Sequence, residues 1–155
     1  MTLHFAYGSN MSRAHMRGLC PGASALGVAT LVGWQFTINP DGYGSIERRP
    51  GGKVLGALWR LTPRDVAAVD AYEHVAAGLY DRRILAVRRG TRREFALVYI
   101  ARRRGRGTPR PDYIALVVAG ARDWQLPERY VQSLQRWSPS ARPGAWREGP
   151  RDAHG

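Results

Sequence analysis

Residues 3–10, Leu-His-Phe-Ala-Tyr-Gly-Ser-Asn, pass from an apolar run into a glycine and two small polar residues. This order predicts a buried strand at Leu3–Ala6, a tight turn that Gly8 permits, and a helix at Ser12–Gly18. Backbone N–H groups at the start of a helix lack intrahelical partners and can bind a carboxylate or a developing oxyanion. The stretch is therefore a candidate site for a small anion, although Gly-Ser-Asn is equally typical of an ordinary turn and helix cap.

The composition predicts one globular domain without disulfides. The chain has 155 residues, 44% of them hydrophobic, with five Trp and seven Tyr, and a chain of this length can bury enough surface to fold unaided. The sole cysteine, Cys20, excludes an intramolecular disulfide and a cysteine-rich zinc site, which favours a cytoplasmic location. No apolar stretch approaches the roughly 20 residues that span a bilayer, so we expect no membrane partner.

The net charge of +12 raises the question of nucleic-acid binding. Almost all of this charge is arginine, with Lys53 the sole lysine, and the arginines are spread along the chain. The densest run, Arg102–Arg106, has no interleaved aromatic residues on which bases could stack, so we interpret it as a solvated loop. Nucleic acid is therefore not the expected partner, although a positive surface would speed the arrival of an anionic substrate.

Consecutive strand signals predict an α+β domain with a largely antiparallel sheet that could close into a barrel. After the first strand, the expected strands are Val28–Asn39 with a bend at Gly33, Gly44–Glu47, Lys53–Leu61 with a bulge at Gly56, and a hairpin of Tyr80–Arg88 and Arg92–Ala101. The breakers Arg49–Gly52 separate the second and third of these. The expected helices are Pro63–His74 capped by Thr62, Tyr113–Trp124 capped by Asp112, and Leu126–Trp137. The domain then covers residues 1–137, and 138–155 is expected to be a flexible tail.

Two carboxylates share one face of the helix predicted at Pro63–His74. Val66, Val69, Asp70 and Glu73 follow the i, i+3, i+4, i+7 spacing of a single stripe, which should face the core. An inward glutamate is costly unless it is paired or functional, and burial would raise its pKa from about 4.3 into the range of a general base. The alternative is that the helix frays and leaves Glu73 at the surface.

Several motifs, in the same order along residues 3–137, resemble the γ-glutamylcyclotransferase-like superfamily and its bacterial members. They are Phe5–Met11, Cys20–Ala23, Leu26-Gly27, Gly33-Trp34, Val54–Leu61, Val69–Glu73, Gly78–Tyr80, Pro111–Tyr113, Gly120-Ala121, Leu126-Pro127 and Tyr130.

The resemblance implies a small mixed, largely antiparallel β-barrel with flanking helices around a cavity for a γ-glutamyl group. It implies that Tyr7, Gly8, Ser9 and Asn10 bind the substrate and that Glu73 is the catalytic acid/base. Tyr80 and Tyr113 match aromatic positions near that cavity. One departure is His74, where a glycine commonly follows the glutamate, so the imidazole could narrow the mouth or change specificity.

The implied reaction is attack of the substrate α-amine on its own γ-amide, which releases 5-oxoproline and an amine, amino acid or peptide. Intramolecular attack gains much of its rate from orientation, and the remaining steps are proton transfer and oxyanion stabilisation. We therefore expect no metal and no cofactor and a small-molecule γ-glutamyl substrate, and a homodimer is a possible assembly. The alternatives are a specialised cyclotransferase acting on a biosynthetic intermediate or γ-glutamylamine, and a non-catalytic relative that binds a small molecule or nucleic acid.

Other polar residues are weaker candidates. His4, His15, His74 and His154 lack metal-ligand spacing, and Cys20 is expected to be a buried apolar residue rather than a nucleophile. Asp70 is expected to orient its neighbours or to raise the pKa of Glu73.

Overall fold

The computed structural model describes residues 1–138, which form five strands, four α-helices and one 3-10 turn. The strands are β1 Thr2–Ala6, β2 Ser24–Ile38, β3 Gly44–Leu61, β4 Tyr80–Arg89 and β5 Arg92–Ala101. The helices are α1 Arg13–Leu19, α2 Pro63–Tyr72, α3 Tyr113–Asp123 and α4 Glu128–Gln135, and the 3-10 turn is Ser9–Met11. Apart from Ser138, the expected tail lies outside the described residues.

The strands close into a barrel in the order β1-β3-β2-β4-β5. Its neighbouring strands are antiparallel except for β1 and β5, which run parallel and meet at His4 and Leu97. The expectation of a mixed, largely antiparallel barrel with flanking helices is therefore confirmed. The hairpin of β4 and β5 turns at Gly90, whose φ of 62° is one that glycine adopts readily.

The long hairpin of β2 and β3 includes residues 49–52, which the sequence pattern predicts to be a break between strands. The bend predicted at Gly33 is confirmed, since the register shifts between Val32 and Trp34 and Gly33 has a φ of 90°. The predicted interruption at 49–52 is wrong, because β3 runs through it. Val32 pairs with Lys53 and Trp34 with Arg48, so the breakers lie opposite the Gly33 irregularity and share one bulged region with it.

Gly56 packs tightly against β1. The bulge predicted at this residue is absent from the pairing of β2 with β3. Gly56 pairs in register with Ala29 of β2. A Cβ at this position would lie 2.2 Å from the carbonyl oxygen of Ala6 and 3.0 Å from the ring of Phe5. The absence of a side chain is what allows β1 to pack against β3.

The Arg102–Arg106 loop is exposed, as expected, but it is also anchored. Arg102 pairs with Asp81 at 2.6 Å, Arg103 with Asp41 at 2.8 Å, and Arg106 with Glu47 at 2.8 Å. The N–H of Gly107 also donates to the carbonyl of Ile38 at 2.8 Å. The loop is thus bonded to the turn region of the β2–β3 hairpin and to the start of β4.

Two predicted N-cap residues, Thr62 and Asp112, lie where α2 and α3 begin, but only Thr62 makes the expected side-chain hydrogen bond. Thr62 and Asp65 form a capping box at α2, as the sequence indicates. Asp112 occupies the N-cap position of α3 but has a φ of 63° and makes no side-chain cap bond. Within residues 1–138, every helix is too short or too polar to cross a membrane.

Replacing Gly56 by Ala should destabilise the protein by about 1–3 kcal/mol, because the new methyl group meets backbone that cannot move without separating two strands. Chemical denaturation monitored by tryptophan fluorescence measures this change. Gly18→Ala in α1 is the matched control, since a Cβ there meets nothing within 4 Å and alanine favours helix by about 1 kcal/mol. Equal stability of the Gly56→Ala and wild-type proteins would contradict the assigned packing.

Candidate active site

A cleft of about 690 Å³, here called the main cleft, opens where β1 ends and α2 ends. Its lining includes all seven residues named from the sequence: Tyr7, Gly8, Ser9, Asn10, Glu73, Tyr80 and Tyr113. The turn of the β2–β3 hairpin and the loop before α3 complete the walls. Residues from distant parts of the chain thus meet around one space large enough for a small molecule.

The sequence pattern suggested that residues 7–10 present the N-terminus of α1. In the structure they do not. A separate 3-10 turn at Ser9–Met11 intervenes, and α1 begins only after Ser12, whose hydroxyl accepts from the N–H of His15 at 3.2 Å. Ser12 is therefore the N-cap of α1 rather than its first residue, and the amides of residues 8–10 belong to the turn rather than to the helix. Any ligand at this loop would meet the backbone of a tight turn.

Two tryptophans hold this turn in place. The indole N–H of Trp59 on β3 donates to the carbonyl of Asn10 at 3.0 Å, and that of Trp124 donates to the carbonyl of Met11 at 2.8 Å. The two rings pack edge to face with centroids 5.4 Å apart. The position of the turn is therefore set by both the barrel and α3.

The side chain of Asn10 is occupied inside the protein by two histidines. Its amide nitrogen lies 3.4 Å from Nε2 of His4, and its amide oxygen lies 3.0 Å from Nε2 of His15. Burial lowers the pKa of His4 to about 4, so its ring is neutral at pH 7. Nδ1 of His4 then donates to the carbonyl of Leu97 at 3.2 Å, and Nε2 accepts from Asn10. Asn10 is thus locked in orientation.

Two tyrosines of the cleft, Tyr7 and Tyr80, are buried hydrogen-bond donors. The hydroxyl of Tyr7 donates to the carbonyl of Tyr99 at 2.5 Å, and that of Tyr80 donates to the carbonyl of Gly44 at 2.6 Å. Burial raises the pKa of Tyr7, Tyr80 and Tyr113 well above the usual value near 10. These phenols therefore stay protonated at physiological pH. Tyr113 lies close to the 3-10 turn, since a Cβ on Gly8 would be 3.0 Å from its hydroxyl.

Glu73 is the residue directly after α2, and its carboxyl group lies within the main cleft. Its N–H donates to the carbonyl of Val69 at 2.9 Å, so the helical hydrogen bonding extends to this position. Burial raises the pKa of Glu73 from 4.5 to about 7. The carboxyl group is thus about half ionised at neutral pH, which is the state from which it can both accept and donate a proton.

Asp70 has a different role from Glu73. One oxygen accepts from the hydroxyl of Tyr99 at 2.6 Å, and the other accepts from Arg82 at 3.1 Å. The first interpretation of Asp70, that it orients its neighbours, agrees with these bonds. The second interpretation, that Asp70 raises the pKa of Glu73, is wrong, because burial is what raises that pKa.

His74 follows Glu73 with a φ of 53° and lines the main cleft. This left-handed conformation is one that glycine adopts freely and other residues adopt at a cost. The glycine common at this place in the resembled superfamily therefore fits the backbone seen here. Here an exposed histidine occupies the position instead.

Three further lining residues had no signal strong enough to single them out. The hydroxyl of Tyr72 lies 3.2 Å from that of Ser9 and links the end of α2 to the 3-10 turn. Tyr43 and Arg110 stack at 4.9 Å on the opposite wall. The position of Tyr72 next to Glu73 was the only available hint, since Tyr43 and Arg110 reach the cleft through contacts distant in sequence.

Comparison with known proteins now places this arrangement in a family. Residues 53–134, more than half of the chain, match the AIG2-like family. The chain belongs to the AIG2-like family. The matched region of this AIG2-like protein contains β4, α2 and Glu73, whereas the loop 7–10 precedes it.

Proteins similar to this AIG2-like chain include mammalian enzymes. The γ-glutamylcyclotransferase of Mus musculus is 27% identical over 153 aligned positions, which cover 89% of this chain and 79% of the mouse protein. The human γ-glutamylcyclotransferase is 26% identical with the same coverage. A solved structure described as a γ-glutamyl cyclotransferase superposes with a TM-score of 0.80 at 24% identity, covering 86% of each chain, and it shows the shared fold.

Replacing Glu73 by Gln should stabilise this AIG2-like protein at pH 8 by about 1–3 kcal/mol. The folded state, with its raised pKa, retains a proton that the unfolded chain releases between pH 4.5 and about 7. Wild-type stability therefore falls as pH rises through this window, and the neutral amide avoids the loss. Urea unfolding at pH 4 and pH 8 measures the difference, which should vanish at the lower pH.

The matched control is Glu128→Gln on α4, an exposed carboxylate paired with Arg122 at 3.2 Å. It should show no gain in stability at pH 8. A Glu73→Gln protein as stable as wild type at both pH values would mean that the carboxyl group is solvated.

Proposed function

We propose that this protein is a γ-glutamylcyclotransferase, which closes a γ-glutamyl group onto its own α-amine and releases 5-oxoproline. The observation that carries the proposal is Glu73, which lines the main cleft and whose pKa is raised by partial burial to about 7. The similarity to mammalian proteins of that name supports it.

The cleft would first hold the substrate in a folded conformation. Attack of an α-amine on a γ-amide in the same molecule closes a five-membered ring, and good orientation of such groups is equivalent to an effective concentration of about 10⁵–10⁸ M. The 3-10 turn at Ser9–Met11 is anchored by Trp59 and Trp124, so it offers a rigid wall against which the substrate can be oriented.

Glu73 would then transfer the proton. An α-amine with a pKa near 8 is mostly protonated at neutral pH and must lose its proton before it attacks. Transfer to a carboxylate with a pKa of about 7 is unfavourable by about one unit, or about 1.4 kcal/mol. The same transfer to an ordinary glutamate would cost about three times as much, which is why burial matters. The protonated Glu73 then gives its proton to the departing amine nitrogen.

Hydrogen-bond donors in the cleft would stabilise the developing oxyanion. Backbone N–H groups of residues 8–10 are one source, and the hydroxyl of Tyr113, kept neutral by burial, is another. The hydroxyl protons of Tyr7 and Tyr80 are already donated to backbone carbonyls. The side chain of Asn10 is held by His4 and His15. Its contribution is therefore to fix the turn rather than to reach the substrate.

Incubation with γ-glutamyl dipeptides and γ-glutamylamines should release 5-oxoproline, which chromatography detects. Glu73→Gln should lower kcat by about 10²–10⁴, the usual contribution of a positioned acid/base, while Glu128→Gln should retain wild-type turnover. Full turnover by Glu73→Gln would overturn the assigned acid/base. Failure of the wild-type protein with every substrate would overturn the activity itself.

The kcat/KM of the wild-type enzyme should rise with pH through a midpoint near 7, because Glu73 must be ionised in the free enzyme to accept the proton. This midpoint belongs to the enzyme, so it should stay constant among substrates whose α-amines have different pKa values. A midpoint near 4.5 would show that the base is an ordinary solvated carboxylate.

A further inference from the structure

A second cleft, here called the seam cleft, lies between strands β2 and β4 of the barrel. Strands β2 and β4 are paired at one position only, Thr30 with Arg88. Away from this pair a cleft of about 450 Å³ lies between Trp34 and Thr37 of β2 and Asp81 and Arg83 of β4. It is distinct from the main cleft, although Asn39 contributes to the walls of both.

The lining of the seam cleft is strongly basic. Five arginines face two carboxylates, Glu47 and Asp81, which leaves an excess of three positive charges. The arginines are Arg48, Arg83, Arg102, Arg103 and Arg104. Both carboxylates are already engaged, Asp81 by Arg102 at 2.6 Å and Glu47 by Arg106 at 2.8 Å.

Three of these arginines lack a carboxylate partner. Across residues 1–138, Arg48, Arg83 and Arg104 make no ion pair. Two of them are positioned by the buried ring of Trp34, with the guanidinium carbon of Arg48 at 5.3 Å and that of Arg83 at 5.9 Å from its centroid. Both distances are within the range of cation–π attraction, which holds each guanidinium group against the same ring.

Thr37 supplies a second and independent observation. The residue is only 4% exposed and lines the seam cleft, and no atom of the described chain bonds to its hydroxyl oxygen. By contrast, the hydroxyl of its cross-strand neighbour Ser45 accepts from the N–H of Ala101 at 2.9 Å. A buried hydroxyl without a partner is costly, and a ligand oxygen in the cleft would satisfy it.

We propose that the seam cleft binds a small phosphorylated molecule, with Arg48 and Arg83 contacting the phosphate oxygens and the Thr37 hydroxyl donating to one of them. Guanidinium forks match the geometry of phosphate. The site is a single bounded cleft rather than an extended groove that could follow a nucleic-acid backbone. Its tryptophan, Trp34, is buried and therefore cannot stack on a base. These features favour a small ligand over a nucleic acid. The site is independent of the cyclotransferase activity.

The test uses inorganic pyrophosphate, titrated into the full chain by calorimetry at constant ionic strength set with chloride. Arg48→Gln with Arg83→Gln should weaken binding about tenfold, since each lost bond to a charged oxygen is substantial. The matched control is Arg88→Gln with Arg93→Gln, which removes the same charge from exposed positions outside the cleft. Its affinity should change less than about twofold. Equal weakening in both pairs would overturn the proposal, because binding would then follow net charge alone.

The hydroxyl is tested separately. Thr37→Val removes it while keeping the side-chain shape, and should weaken pyrophosphate binding without lowering Tm. Thr37→Ser keeps the hydroxyl and should bind as wild type does. Unchanged affinity in Thr37→Val would overturn the assigned contact.

A short oligothymidylate is the competing ligand. Tighter binding of this oligonucleotide than of pyrophosphate, with a steep fall in added salt and loss in the Arg48/Arg83 variant, would overturn the small-ligand proposal in favour of nucleic acid.

Discussion

The shortest strand, β1, is the constraint on which the rest of the molecule depends. It lies between β3 and β5 and closes the barrel, and its antiparallel pairing with β3 requires that Gly56 leave room for Ala6 and Phe5. Residues 7–10, which follow β1, therefore lie at the end of the barrel that is near the end of α2. Barrel closure and the shape of the main cleft are therefore consequences of the same close contact.

Burial is the largest influence on the charge states around the main cleft. It lowers the pKa of His4 to about 4, raises that of Glu73 to about 7, and keeps the tyrosines protonated. In each case the largest cause is the cost of holding a charge away from water, and it acts in opposite directions on bases and acids. One cleft therefore holds a neutral imidazole that fixes Asn10 and a carboxyl group that ionises near neutrality.

Features that depend on local sequence were predictable. The Thr62, Pro63 and Asp65 pattern gave the start of α2, and the residues around Gly90 gave the β4–β5 hairpin. The prediction of a barrel rested on the succession of strands together with the resemblance to a known superfamily. Glu73 was found by its spacing on the helix, although the spacing alone left open whether it lay inside or at the surface.

Features that depend on distant partners were not predictable. The breakers at 49–52 lie within a strand because the irregularity opposite them is at Gly33 of the neighbouring strand. Gly56 resembled a bulge because the backbone that it must accommodate comes from β1. The same holds for the side chain of Asn10, whose engagement by His4 and His15 no short motif reveals.

The capping box of α2 lies at the opposite end of the helix from Glu73. Asp65 accepts from the N–H of Thr62 at 3.1 Å and from that of Gly22 at 3.4 Å, so the start of the helix is tied to the turn after α1. A helix of ten residues is about 15 Å long, so this contact lies about that far from Glu73. Together with the bonds of Asp70 and Tyr72 near the other end, it fixes both ends of the helix that carries the carboxyl group, although Gly22 never touches that group.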